Sequence, residues 1–250
     1  MTAVPGPVSP DRTPLVLEPL AARYGVGARG GPAVVIPPEP DGIVRAMPVV
    51  LRLERSAPPR TPVLEAAAAA ALALCLDPRA EPGGEWHDAV STWVASRIRK
   101  IARRARGAHW DAVQELPGVT WEVDGAQARA LLPGPVDEVP KAVSRLQIGG
   151  TDLEPDQPGP PPAGVPVIWV NDALEMSVGK AAAQVGHASM LYAAARGLTR
   201  VPALAVRDAD AARWEQLCAA VDRGEAVAVR DAGFTEVAPG TITCITCVAG

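Results

Sequence analysis

The chain has 250 residues, 48% of them apolar, with a formal charge of -4 and four cysteines, enough apolar material for one large or two modest cores without covalent staples. Cysteines at 75, 218, 244 and 247 are too sparse for a disulfide-framed secreted domain, and the net charge excludes a globally basic nucleic-acid coat protein. No apolar signal segment opens the sequence, and the longest nearly pure apolar run, 66–76, is far short of the ~20 residues that span a bilayer, so a cytoplasmic protein in a reducing compartment is expected.

Residues 1–46 are rich in Pro and Gly, carry four acids and four bases, and hold no periodic apolar run longer than PAVVIPP. They read as a largely disordered leader. Met47, directly before PVVLRLER, is a second possible start of translation beside Met1. A separate α+β domain is expected over 47–150, opening with a strand at 49–55. A helix follows, with Thr61 as N-cap, Pro62 at its first position, and an end before Pro78. Its alanine-leucine run is apolar nearly all round, hence buried. A second helix, about 85–106, places Trp86, Val90, Trp93, Val94, Ile98 and Ile101 on one face.

That helix ends in RIRKIARRAR, which holds six of the chain's 24 basic residues and aligns Arg99, Arg103 and Arg106 in one stripe. The stripe suits either a solvated face with cations at the helix C-terminus or a contact to RNA phosphates. HWDAVQEL and GVTWEVDG read as a hairpin about Pro117-Gly118, and VDEVPKAVSRL as a short amphipathic helix. Residues 151–164 are a proline-rich linker in extended geometry that offers little to a packed core.

From 165 to 250 the pattern is strand 165–170, helix 177–196, strand 203–206, helix 208–222, then strands 225–230 and 241–248. The order βαβαββ predicts an α/β fold: a four-stranded mixed sheet, mostly parallel, with flanking helices. Ligands of such sheets meet the carboxyl ends of strands and the N-termini of the following helices. Asn171, Asp172, Ser177, Lys180, Asp231, Thr241 and Thr243 all fall at that edge.

Lys180, Gln184 and His187 stand at i, i+4 and i+7 and project from one helix face. Only Lys100, Lys141 and Lys180 are lysines, the other basic residues being arginines, so each lysine invites inspection. A nucleotide-phosphate loop fails twice, at Leu174 and Ala181. Cys244 and Cys247, three apart on a strand, face opposite sides and lack a second ligand pair, so no metal is implied. His87 and His109 belong to no motif, and neither a Ser-His-Asp nor a Cys-His constellation is present. Acyl-enzyme chemistry and an organic cofactor are likewise not expected.

Two segments, GKAAAQVGHA at 179–188 and RDAGFTEVAPGTIT at 230–243, resemble the patterns GKxAAQxxHA and RDAGxTxxAPGTxT of the peptidyl-tRNA hydrolases of the archaeal and eukaryotic type. The resemblance covers about 165–250. It implies an α/β domain that cleaves the ester joining a peptide, or an N-blocked amino acid, to the 3′-terminal ribose of tRNA. It further implies catalytic roles for Lys180, Asp231 and Thr241, with Gln184, His187, Thr235 and Thr243 in the substrate groove, peptidyl-tRNA as partner, no membrane, and a homodimer as the family expectation.

The chain departs from the family at Val178, Phe234 and Ala173-Leu174, and in the short connection GLTRVP, which thins the cations available to RNA. Arg99, Lys100, Arg103, Arg104 and Arg106 are therefore expected to supply tRNA backbone contacts, with Arg99, Arg103 and Arg106 binding substrate. In the expected chemistry Asp231 orients or deprotonates a water. Lys180, helped by the helix N-terminus and the Thr241 hydroxyl, stabilises the developing negative charge. A neutral Lys180 acting as base would be opposed by the adjacent carboxylate. The alternatives are a non-catalytic tRNA-binding protein on the same fold, and specialised chemistry on another acyl-tRNA.

Overall fold

The computed structural model describes residues 15–24, 39, 41–231 and 236–249. A 3-10 turn at Leu15–Leu17 leads into α1 (Glu18–Tyr24). Val16, Leu17 and Leu20 are buried in the main core, so this part of the leader is structured where disorder is expected from its composition. Three apolar side chains at i, i+1 and i+4 suffice once a core exists to receive them. Strand β1 (Arg45–Arg52) carries Met47 in its buried interior.

Helix α2 (Arg60–Cys75) follows Pro59 and has no cap from its own N-cap side chain. Thr61 lies one residue inside the helix, and its N–H and hydroxyl both donate to Asp156, at 3.0 and 2.7 Å. The next helix, α3 (His87–Ala95), stops early, and the basic run becomes β2 (Lys100–Ala105), parallel to β1 with Met47 opposite Lys100. The expected helix to 106 is thereby corrected. The apolar spacing of three and four describes α3 well, but the open edge of β1 claims the following segment. Ala102 and Ala105, three apart, bury in different clusters on opposite faces of the sheet, as a strand requires. Arg99 and Arg106 flank the strand, and Arg103 and Arg106, an odd number of positions apart, cannot share one face of an extended chain, so the helical arginine stripe does not form.

A second correction follows at α4 (Ala108–Gln114), which replaces the first strand of the expected hairpin. The hairpin joins β3 (Gly118–Val123) to β4 (Ala126–Leu131) through Asp124 and Gly125, both at positive φ. Such a pair matches the twist of the flanking strands. A short β5 (Gly134–Pro135) pairs with the start of β1, and α5 (Lys141–Ser144) closes this part. The main strand order is β2-β1-β4-β3.

The C-terminal part contains β6 (Pro166–Asn171), α6 (Val178–Arg196), β7 (Ala205–Ala209), α7 (Ala211–Asp222), β8 (Val227–Arg230) and β9 (Ile242–Val248), in the expected order βαβαββ. Its sheet runs β7-β6-β9-β8 and is mixed. Strands β6, β7 and β8 point one way, yet β9 lies between β6 and β8, so only the β6–β7 pairing is parallel. "Mostly parallel" thus holds for strand direction and fails for neighbour pairing. The carboxyl ends of β6 and β8 share one edge, where the site is expected.

The two sheets are separate, but one core lies between them. Helix α2 packs on β3 and β4 from one side and on α6 from the other, and α6 in turn covers β6, β8 and β9. Ala66, Ala67, Ala68, Ala70 and Ala71 of α2 and Ala181, Ala182 and Val185 of α6 are buried together with Met47, Val49, Ile168 and Val170. Ser189 Oγ on α6 donates to the Ala68 carbonyl at 2.8 Å. Helix α7 covers the outer face of the second sheet, and α4 and α5 cover that of the first.

Polar groups stitch the seam. Arg60 pairs with Asp208 at 2.7 Å, and Glu65 Oε1 accepts from Val206 N at 2.9 Å and from Arg207 at 3.2 Å. Burial pushes the Glu65 carboxyl above its ordinary range. The proline-rich segment runs along this seam: Thr151 is buried, Asp156 meets α2, and the Gly159 carbonyl accepts from Arg207 at 2.8 Å. The expectation that 151–164 offers little to a packed structure is corrected by those contacts. No helix among the described residues is long and apolar enough to cross a membrane.

Candidate active site

Lys180 enters the site because α6 begins at its expected place. Ser177 is the N-cap and accepts from Lys180 N, and its own N–H and hydroxyl donate to Glu236 at 2.9 and 2.8 Å. Gly179 N donates to Thr151 Oγ1 at 3.0 Å, and a Cβ at this glycine would stand 3.2 Å from that oxygen. Thus the Gly179 and Lys180 amides are already engaged within the protein.

Asp231 follows β8 directly. Its N–H donates to the Thr241 carbonyl at 2.9 Å, and its carbonyl accepts from Gly240 N at 2.7 Å, fixing the turn into β9. Lys180 Nζ donates to Asp231 Oδ2 at 2.6 Å, with the two side chains only 10% and 7% exposed. Gln184 Nε2 donates to the same oxygen at 2.7 Å, and Thr243 Oγ1 donates to Gln184 Oε1 at 2.6 Å. The threonine hydroxyl therefore dictates which way the amide turns, and the amide dictates where the carboxylate points. Each link is short, and charge assists those to Asp231.

These groups open on a cavity of about 610 Å³. One side of its wall comes from α6 and the end of β8, and includes Lys180, Gln184, His187 and Asp231. The other comes from 97–102 and 148–152 in the N-terminal part. Lys100 reaches across from β2: its Nζ donates to His187 Nδ1 at 3.2 Å and lies 5.0 Å from the ring centre of the buried Trp93. Gly186 leaves room for it, since a Cβ there would stand 3.0 Å from Lys100 Cδ and Cε. Desolvation pulls the Lys100 ammonium down to about 7. Burial first, then the charges of Lys100 and Lys180, holds the His187 imidazole well below its ordinary value.

The remaining residues singled out in the sequence are dispersed. Thr241 meets Asp231 through its main-chain carbonyl and does not line the cavity; Thr243 is fully buried behind Gln184. Thr235 lies outside the described residues. Arg99 lines the cavity and pairs with Glu39, whereas Arg103 turns to the other face and donates to the Leu146 carbonyl at 2.9 Å. Arg106 is exposed beside a second cleft with Arg104, His109 and Arg145. Asn171 binds Ala173 N through its own side chain. Sequence reasoning missed Thr151 and Glu236, and it placed Lys100 on a phosphate-binding surface. Cys244 is buried in the central core, while Cys247 packs against the outer cluster.

A buried lysine–aspartate pair, its carboxylate fixed by an amide, thus stands at the strand-end edge of a small α/β sheet and faces the cavity. Residues 165–249 match the family model described as peptidyl-tRNA hydrolase PTH2. The C-terminal part is thus a domain of that family, and the N-terminal α+β region is separate from the matched segment. No curated protein and no solved structure matches the chain.

Proposed function

We propose that this protein hydrolyses the ester between a peptide, or an N-blocked amino acid, and the 3′-terminal ribose of tRNA, freeing the tRNA for reuse in the cytoplasm. The observation that carries this reading is the Lys180–Asp231 pair at 2.6 Å, set by Gln184 and Thr243 inside the segment that matches the hydrolase family.

A water against the Asp231 carboxylate attacks the ester carbonyl and yields its proton to that carboxylate. The carbonyl π-electrons move to oxygen, where the Lys180 ammonium meets the negative charge. The Gly179 and Lys180 amides already have partners within the protein, so the oxyanion role falls to the Lys180 side chain and not to the first amides of α6. When the tetrahedral adduct collapses, the bond to the ribose 3′-oxygen breaks. The proton held by Asp231 passes to that oxygen, leaving a free carboxyl product and a tRNA 3′-hydroxyl. Thr243 and Gln184 act as positioning residues. Arg104, Arg106 and Arg145, grouped about the second cleft, suit a phosphate contact better than Lys100 or Arg103, which turn inward.

The test is release of labelled N-acetyl-aminoacyl groups from tRNA by the purified full chain, with a metal chelator throughout. Lys180→Ala and Asp231→Asn are each expected to lower kcat/KM by about a thousandfold, within the range of acid–base and oxyanion effects. Tight tRNA binding without release by the wild type would instead identify a non-catalytic tRNA-binding protein.

A further inference from the structure

Of the 22 described residues that line the main cavity, eleven lie outside the segment that matches the hydrolase family. The N-terminal part therefore builds half of the reaction chamber, and what it brings there is specific. Lys100 is seated between the Trp93 ring, the gap at Gly186 and His187. Ile98, Ile101 and Ile148 extend the wall around it, and Leu191 on α6 continues this apolar surface. Arg97 and Arg99 line the same cavity, but the Lys100 ammonium itself is packed by the Trp93 ring and the gap at Gly186, and burial reduces its basicity, which suits a neutral carbonyl better than a phosphate.

His187 stands seven residues beyond Lys180 on α6, a rise of about 10 Å at 1.5 Å per residue. An extended peptide advances about 3.3–3.6 Å per residue, so a chain whose ester carbon sits at Lys180 and Asp231 reaches Lys100 at about its third residue. Resting on the hydrolase reading above, we infer that Lys100 and His187 form an acyl-side subsite, in which Lys100 Nζ donates to a main-chain carbonyl of the substrate about three residues from the scissile ester. The N-terminal region thereby makes the enzyme selective for peptidyl groups of that length over a single blocked amino acid. No bond is made or broken at this subsite.

The experiment uses the full chain and two substrates that share the same tRNA and the same esterified amino acid. One carries N-acetyl-aminoacyl and the other N-acetyl-tripeptidyl. The readout is the ratio of their kcat/KM values, in which the fraction of correctly folded enzyme cancels. Wild type is expected to prefer the tripeptidyl substrate about tenfold, the effect of one buried hydrogen bond. Lys100→Met is expected to bring the ratio near one, and Lys100→Gln, which keeps a donor, to lie between. The Gln variant carries the comparison if the Met variant does not fold. A ratio unchanged in the variants, or a wild-type ratio at or below one, overturns the subsite alone. No release of either substrate by wild type overturns the hydrolase reading and the subsite with it.

Discussion

Lys100 and His187, 87 positions apart in sequence, form a contact whose cost depends on pH. The fold pulls Lys100 from 10.5 to about 7, so between those values the folded chain binds fewer protons at this residue than the unfolded chain does. Stability contributed by Lys100 therefore rises with pH across that window and falls on acidification toward 7. Cys75 and Cys244, both pushed up from 9.0 to about 12 by burial, act with the opposite sign at higher pH. Urea unfolding at about pH 7 and about pH 8.5 isolates the lysine, with a ceiling of about 1.4 kcal/mol per pH unit for a single proton. Lys100→Met is expected to flatten the dependence; equal slopes in both proteins would refute the assignment. At this scale the sequence is informative where spacing and motif agree: Lys180, Gln184 and Asp231 stand where helix periodicity and strand ends place them. Lys100 is visible as one of three lysines and as part of the basic run, but its place in the cavity is not, because its neighbours come from strand pairing and helix packing. Thr151 and Glu236 carry no local pattern to set them apart.

Among the elements, α1 tests how far the core extends beyond the familiar part of the chain. Leu17 and Leu20 are fully buried, and α1 packs on α3 and α6. A chain beginning at Met47 loses both leucines and the first two residues of β1. Removal of even one such side chain costs about 2–5 kcal/mol, so its urea midpoint is expected to fall well below that of the full chain. An unchanged midpoint would show that α1 adds nothing to stability. Polar, proline-rich flanks hide this helix in the sequence, since composition averaged over 1–46 outweighs three apolar residues. The basic segment misleads for a different reason. Its apolar positions continue the helical spacing of α3, and only the vacant edge of β1, a tertiary fact, makes it a strand. The C-terminal elements read more directly because each is bounded by glycine, a cap or a clear change of period, such as Ser177 and Gly197 at the two ends of α6.

For the molecule as a whole, the boundary of the family match is not a boundary of packing. A fragment of residues 165–250 uncovers the face of α6 that carries Gly186 and Ser189, which meets Ala71 and Ala68 of α2 in the full chain. An apolar surface of this kind drives association. The fragment is expected to elute as aggregates in size-exclusion chromatography and to lack the cooperative melt of the full chain. A monodisperse fragment with a sharp transition would refute that dependence. Helix α2 is bound to the same rule from the other side. Its first turn donates to Asp156, 95 residues further along the chain, and its opposite face awaits α6. On the ribosome, then, the alanine-rich helix emerges long before the carboxylate and the helix that complete it. The contacts that hold α2 to Asp156 and to α6 therefore form only after residues 156 and 178–196 have been made, well after the strands of the amino-terminal sheet.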